Sequence, residues 1–457
     1  MPTAPIAATS NWAPYKPSGE MPWNLERVVH LHRRASFAAP WDVLQRDLSD
    51  GPQAAIDRLL NPDPKGSNSQ FVSLADTIGD AAMASGSAGR LKAWWLYRMV
   101  MSPDPLRERL ALLWHNHFAT SNRKVQNLVF MRDQNELLRT HAFAPFGELL
   151  HAVVKHPAML VWLDADSNRK GHPNENLARE LMELFTLGEG NYSEQDVREG
   201  ARALTGWTVE SGKFETREAR HDAGDIRVLS KREPMTGDDL IEVLLDQPAT
   251  ANRLAWRLCG MLLGEGVATE EDLAKLSAGL RGKNLSIEWA VERILRSELF
   301  FATSNLRCRV AGPVEHIVGS LRALELRDPP PSTLLLAEWS SRMGQDLFYP
   351  PNVGGWNEGR TWLSSRAIIA RANFAHALAS GDLWRPSQRP DIETLAELNG
   401  ATTILESQTA WLTELLWGKA PEHVVHDLVD QVTNRQPEKA INEVLTLLIT
   451  RPESYLN

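Results

Sequence analysis

Residues 173–207 read PNENLARELMELFTLGEGNYSEQDVREGARALTGW, and this stretch decides the fold. Leu177, Ala178, Leu181, Leu184 and Phe185 recur at the period of a helix, which predicts one core-facing stripe over 174–187. Ser193 and Asp196 then stand in capping-box spacing, and Val197, Ala201 and Leu204 give a second stripe over 194–206. Only six residues join the two helices, so they are expected to pack on each other. Gly200 and Ala203 are small residues on an adjoining strip, where another backbone has room to approach.

The same period continues outward in both directions. Asn24 is a candidate N-cap for a helix over 24–34. Arg90–Met101 reads as a helix that Ser102-Pro103-Asp104-Pro105 breaks, and another runs from Leu106 to about 118. Further helical patterns cover 125–142, 145–155, 237–263, 270–280, 286–298, 312–324, 333–343, 364–380, 392–418 and 437–449. The composition of 61–69 is that of a loop. Alternating strand patterns are scarce, and a short hairpin is expected only within 207–232. The fold expected is mainly α: a multi-helix globular domain with irregular loops and at most a short β-hairpin. Its expected divisions are an N-terminal tail at 1–22, a helical core at 23–310 and a C-terminal helical region at 311–457 packed on that core.

The chain has 457 residues, 43% hydrophobic and 23% charged, which places it among globular proteins rather than disordered ones. A formal charge of −9 argues against nucleic acid as a partner, because phosphate binding needs a basic surface. No run approaches the ~18 apolar residues of a membrane span. The first twenty residues lack a basic run followed by an apolar one, so the expected compartment is cytoplasmic, or periplasmic if a leader has been removed. Cys259 and Cys308 are too few for a disulfide framework or a cysteine zinc site. Tryptophan is abundant, 16 residues against 5 tyrosines. Core packing is the expected use of most of them; sugar stacking in a cleft is the functional alternative.

Several polar residues carry candidate chemistry. At ~100° per residue, Asn176, Glu180 and Glu183 fall in one strip beside the buried stripe, where two carboxylates suit a cation or a shared proton. Arginine partners such as Arg179, Arg202, Arg33 or Arg34 are the structural alternative for Glu180. Arg202 and Glu199 read best as an ion pair. His117 lies on the apolar face of its helix, with His115 ~160° away, so one metal ligand is expected there rather than a two-histidine grip. His221 and Asp222 precede Gly224 on a loop and suit an oriented base or a ligand pair. Asp164, Asp166, Asn168 and Glu175 have calcium-loop spacing, but Arg169 stands where that loop needs glycine. No P-loop, dinucleotide fingerprint or G-x-S-x-G is present.

The NEN…ARELMELFTLG text, with LHRRASF at 31–37, HNHF at 115–118, HDAG at 221–224, GPVEHIVGSLRAL at 312–324 and PPNVGGW at 350–356, resembles a large bacterial family known as domain of unknown function 1800. The resemblance covers about residues 25–380 and implies membership without assigning an activity. Family text usually has a lysine two residues after Gly224; Ile226 stands there in this chain. Two function classes follow from the residues. The first is a metal-assisted enzyme acting on a saccharide or glycoconjugate, with Glu180, Glu183, His221 and Asp222 as catalytic groups and His117, Glu180 and Glu183 as ligands of a divalent metal. The second is a non-catalytic helical partner or scaffold protein with a structural polar core.

Overall fold

The computed structural model describes residues 12–62, 68–434 and 439–457. Among them are 24 α-helical segments and four short strands, so the fold is mainly α. The loop expected at 61–69 falls largely on residues outside the described ones, as does the tail before Trp12. From Trp12 onward the tail is anchored at two points. Trp12 and Tyr15 are buried, the Trp12 indole donates to the Asp272 carbonyl, and the Tyr15 amide donates to that of Arg296.

Two hairpins replace the single one expected. β1 (Trp207–Glu210) pairs with β2 (Lys213–Thr216), and β3 (Asp225–Val228) pairs with β4 (Lys231–Pro234), all antiparallel. Ser211 and Gly212 both take positive φ, which is what a two-residue hairpin turn requires. In β3 the alternation is short: Ile226 and Val228 are buried while Asp225 and Arg227 face out. Four residues of alternation are easily lost between two helices.

Two long helical patterns are broken. The stretch 237–263 divides into Gly237–Leu245 and Pro248–Leu262, because Pro248 has no N–H to donate and opens a helix instead. The stretch 392–418 divides into Ile392–Leu398 and Leu405–Trp417 around Gly400, whose φ is +93°. The decisive stretch also departs from a regular helix. Asn176–Glu180 is α-helical, but Leu181–Thr186 is a π-helix. The Leu187 amide donates to the Met182 carbonyl and the Thr186 hydroxyl to that of Leu181, both five residues back. A π turn holds more residues than an α turn, so the strip drawn through Glu180 and Glu183 at α spacing is displaced.

Apolar side chains gather in two clusters. One is built mainly from residues between Leu106 and Phe301, the other from Leu91–Val100 and from helices after Val314. The helix Pro105–His117 lies between them, giving Leu110, Leu113 and Trp114 to the first and Leu112 to the second. Asp104 caps it by accepting from the Arg107 amide, and Pro105 occupies its first turn. Its far end meets the π segment, where the Phe118 and Phe185 rings sit 5.2 Å apart edge-to-face. The π segment in turn packs on Glu194–Ala203, where a Cβ added to Gly200 would lie 2.7 Å from Met182 Cε. Glu315 is buried and held by Arg109 at 2.5 Å and by both terminal nitrogens of Arg309 at 2.5 and 2.8 Å. Those two guanidiniums outweigh the effect of burial and keep the carboxyl well below its usual range.

Candidate functional site

A cleft of about 320 Å³ opens between the end of helix Pro105–His117, the second half of helix Pro248–Leu262 and the loop at 354–358. Asn116 fixes that loop. Its Oδ1 accepts from the Trp356 amide at 2.7 Å, and its Nδ2 donates to Glu358 Oε1 at 2.7 Å and to the Trp356 carbonyl at 3.3 Å. The approach is close enough to require glycine at 355: φ is +81°, and a Cβ would lie 2.2 Å from Asn116 Oδ1.

The opposite wall is cationic. Arg253 and Arg257 stand one turn apart on their helix, with Trp256 between them. Arg257 approaches Glu358 Oε1 only to 3.7 Å, and its Nε is buried without a hydrogen-bond partner among the described residues. Arg253 reaches the Leu184 carbonyl at 3.4 Å and lies 4.8 Å over the Trp256 ring. Burial and then the charge of Arg257 lower Arg253 below the usual guanidinium range, against the opposing pull of Glu189 and Glu183. Trp256 itself is 46% exposed, whereas Trp94, Trp95, Trp114, Trp207, Trp356 and Trp362 are buried as packing predicts.

His117 forms part of the cleft wall. Its Nε2 lies 3.2 Å from the Phe185 carbonyl, and a carbonyl only accepts, so Nε2 carries the proton and Nδ1 the lone pair. Burial, followed by the charges of Arg257 and Arg253, keeps the ring neutral far below its ordinary range. His115 points elsewhere, edge-on to Trp95 at 5.0 Å and against Phe348 and Trp356. The helix runs through both histidines, so the two rings diverge as the spacing implies.

The other expected site residues lie outside this cleft lining. Glu180 is half-buried and has no hydrogen bond or ion pair among the described residues; burial, then the charge of Glu183, raises its carboxyl, with Arg179 opposing. The arginines considered for it are engaged elsewhere. Arg179 holds Glu194 and Glu175, Arg202 holds Glu199 and Asp222, and Arg33 and Arg34 bind carbonyls that include Leu416 and Leu262. Glu183 accepts from the Tyr192 hydroxyl at 2.6 Å and acts on the cleft only through its charge on Arg253. His221 and Asp222 belong to a separate cluster. His221 Nδ1 lies 3.1 Å from the Thr205 carbonyl, and Asp222 receives Arg202 Nε at 2.8 Å.

The calcium-type spacing is spent on protein partners. Asp164 binds Lys124, Asp166 takes the Thr208 hydroxyl, Asn168 donates to the Ala201 carbonyl, and Glu175 pairs with Arg179. Among the described residues no group of three or more His, Cys, Asp or Glu side chains is gathered for a metal ion.

The sequence held a usable signal for the cationic wall. Two arginines at i, i+4 repel on a helix by ~0.2–0.5 kcal/mol, and neither has an acid three or four residues away. Such a pair asks for an anion from outside the helix.

The sequence model of a family described as a protein of unknown function, DUF1800, matches residues 30–456. The chain belongs to the DUF1800 family. The match runs past the resemblance read at 25–380 and takes in nearly all of the C-terminal helices of this DUF1800 protein. No curated protein and no solved structure matches it.

Proposed function

We propose that this DUF1800 protein binds a small anionic ligand in the cleft, with Arg253 and Arg257 receiving a carboxylate or phosphate. The observation that carries the reading is the pair of guanidiniums on one helix face of the cleft lining, where Arg257 approaches its nearest carboxylate, Glu358, only to 3.7 Å. Guanidinium N–H groups that no carboxylate holds at hydrogen-bond distance gain strong charge-assisted bonds from a bound oxyanion. Two like charges side by side in a partly enclosed cleft gain most when an anion neutralises both. Glu183 and Glu189 flank Arg253 in this reading and keep its charge in place, and the neutral His117 ring offers a hydrogen-bond acceptor at Nδ1.

The saccharide class expected from tryptophan rests on Trp256, the exposed one beside the arginines. The experiment is titration calorimetry with carboxylates and phosphate on the wild type and on Arg257→Gln. One charge-assisted hydrogen bond contributes ~1.5–3 kcal/mol, so the variant is expected to bind about 10- to 100-fold more weakly with its melting temperature unchanged. Equal affinity in the two proteins, or no binding of any anion, defeats the proposal.

A further inference from the structure

Resting on the anion-binding reading, we infer that the ligand is a polyhydroxy acid of the hexuronate kind, its carboxylate on Arg253 and Arg257 and its hydroxyl groups donating to His117 and Glu358.

The cleft is asymmetric in hydrogen-bonding character. One wall offers only donors, the two guanidiniums. The facing groups offer only acceptors. His117 Nδ1 holds a lone pair because Nε2–H is committed to the Phe185 carbonyl, and it has no partner yet is not sealed from solvent. Glu358 uses Oε1 for Asn116 and Arg257, which leaves Oε2 without a hydrogen-bond donor. Glu265, exposed at the rim, has no hydrogen bond or ion pair among the described residues. A ligand that satisfies both walls therefore carries an anion at one end and hydrogen donors at the other.

Hydroxyl and ammonium groups both donate, and Glu358 and Glu265 accept from either; at His117 Nδ1 local charge favours the hydroxyl. Arg253 and Arg257 face His117 closely enough to act on its ring, so a cation placed at Nδ1 meets two like charges. A neutral hydroxyl meets no such penalty. The exposed indole of Trp256 adds a flat apolar face beside the carboxylate position, the surface on which the C–H face of a sugar ring rests. About 320 Å³ lies at the small end of ligand sites, which suits one ring rather than a chain.

The test titrates the whole protein with galacturonate, cyclohexanecarboxylate and glutamine. Cyclohexanecarboxylate keeps the ring size and charge and lacks the hydroxyls; glutamine supplies carboxylate and ammonium together. Galacturonate is expected to bind at least 10-fold more tightly than either. His117→Phe is expected to remove most of that advantage, read as the ratio of galacturonate to cyclohexanecarboxylate affinity. Because the wild-type ratio carries the result, poor folding of the variant does not blunt it. Equal binding of the two ring acids, or tighter binding of glutamine, overturns the sugar acid and leaves the arginine reading standing. If none of the three ligands and no phosphate binds, the anion-binding reading and the inference fall together.

Discussion

Glu180 shows how a residue can look functional for a local reason. Its carboxyl is raised by burial and by Glu183 nearby, and no arginine comes to meet it. A carboxylate whose folded-state pKa is raised makes the folded state less stable wherever it is ionised. Glu180→Gln removes that charge and keeps the shape. The variant is therefore expected to melt at the same temperature as the wild type or slightly above it at neutral pH, a gain of a fraction of a kcal/mol on this partly exposed surface. A loss of more than ~2 kcal/mol by denaturant titration would mean that a strong partner holds the carboxylate. Arg257 is the opposite case: its spacing from Arg253 hints at an outside anion, but only the fold shows that its nearest carboxylate stays 3.7 Å away.

At the scale of elements, the loop PPNVGGW reads as a rigid turn that packs Trp356, and Trp356 is indeed buried. The same turn also carries Glu358 into the cleft, anchored through Asn116 at the end of a helix more than 230 residues earlier in the chain. Gly355→Ala sets a Cβ 2.2 Å from Asn116 Oδ1 and 2.5 Å from the Asn116 carbonyl oxygen at a φ of +81°. Backbone strain of ~1–3 kcal/mol follows. The expected outcome is a melting-temperature drop of several degrees and a larger proportional loss of ligand affinity than of stability, read by calorimetry beside thermal denaturation. Unchanged affinity would show that the loop does not shape the cleft. The π segment also shapes the cleft wall. Its five-back hydrogen bonds bring the Phe185 carbonyl to His117 and fix the imidazole tautomer, a consequence invisible to a 3.6-residue count.

For the whole molecule, buried titratable groups set the response to pH. Burial lowers His115 to about 3 and His156 to about 4, and His30, His117 and His316 also lie well below 6.5. Below pH 6.5 the unfolded chain takes up protons that these rings refuse in the folded state. Stability is therefore full above about pH 6.5 and declines as pH falls, each ring contributing up to ~1.4 kcal/mol per pH unit until its folded value is reached. Asp47 behaves differently. Burial raises it, but hydrogen bonds from His32, Arg46 and Arg58 prevail and hold it at about 2. Its contribution is present above the ordinary aspartate pKa and is lost as pH falls from there towards 2. Urea midpoints measured from pH 8 to pH 4 are expected to drop steadily below 6.5. A flat profile between pH 6.5 and 5 would contradict the buried neutral histidines.

The sequence by itself determined the mainly helical class, the family, the capping box at Ser193 and the ion pair of Arg202 with Glu199. The class, the cap and the ion pair are encoded within a few residues or one helical turn, so period and spacing are enough to read them; the family is carried by motif text spread along the chain. It also fixed the divergence of His115 and His117, because one helix carries both. The tertiary structure decided which polar residues share a cavity. Among the expected site residues only His117 reaches the cleft, where it meets arginines about 140 positions later and a glutamate about 240 later. The π turn leaves no mark at helical spacing, whereas Gly400 and Ser211-Gly212 mark their break and hairpin turn locally. Local spacing fixes the direction of a side chain on its own element; which groups stand opposite it is set by how the elements pack, and that is carried by contacts far apart in the chain.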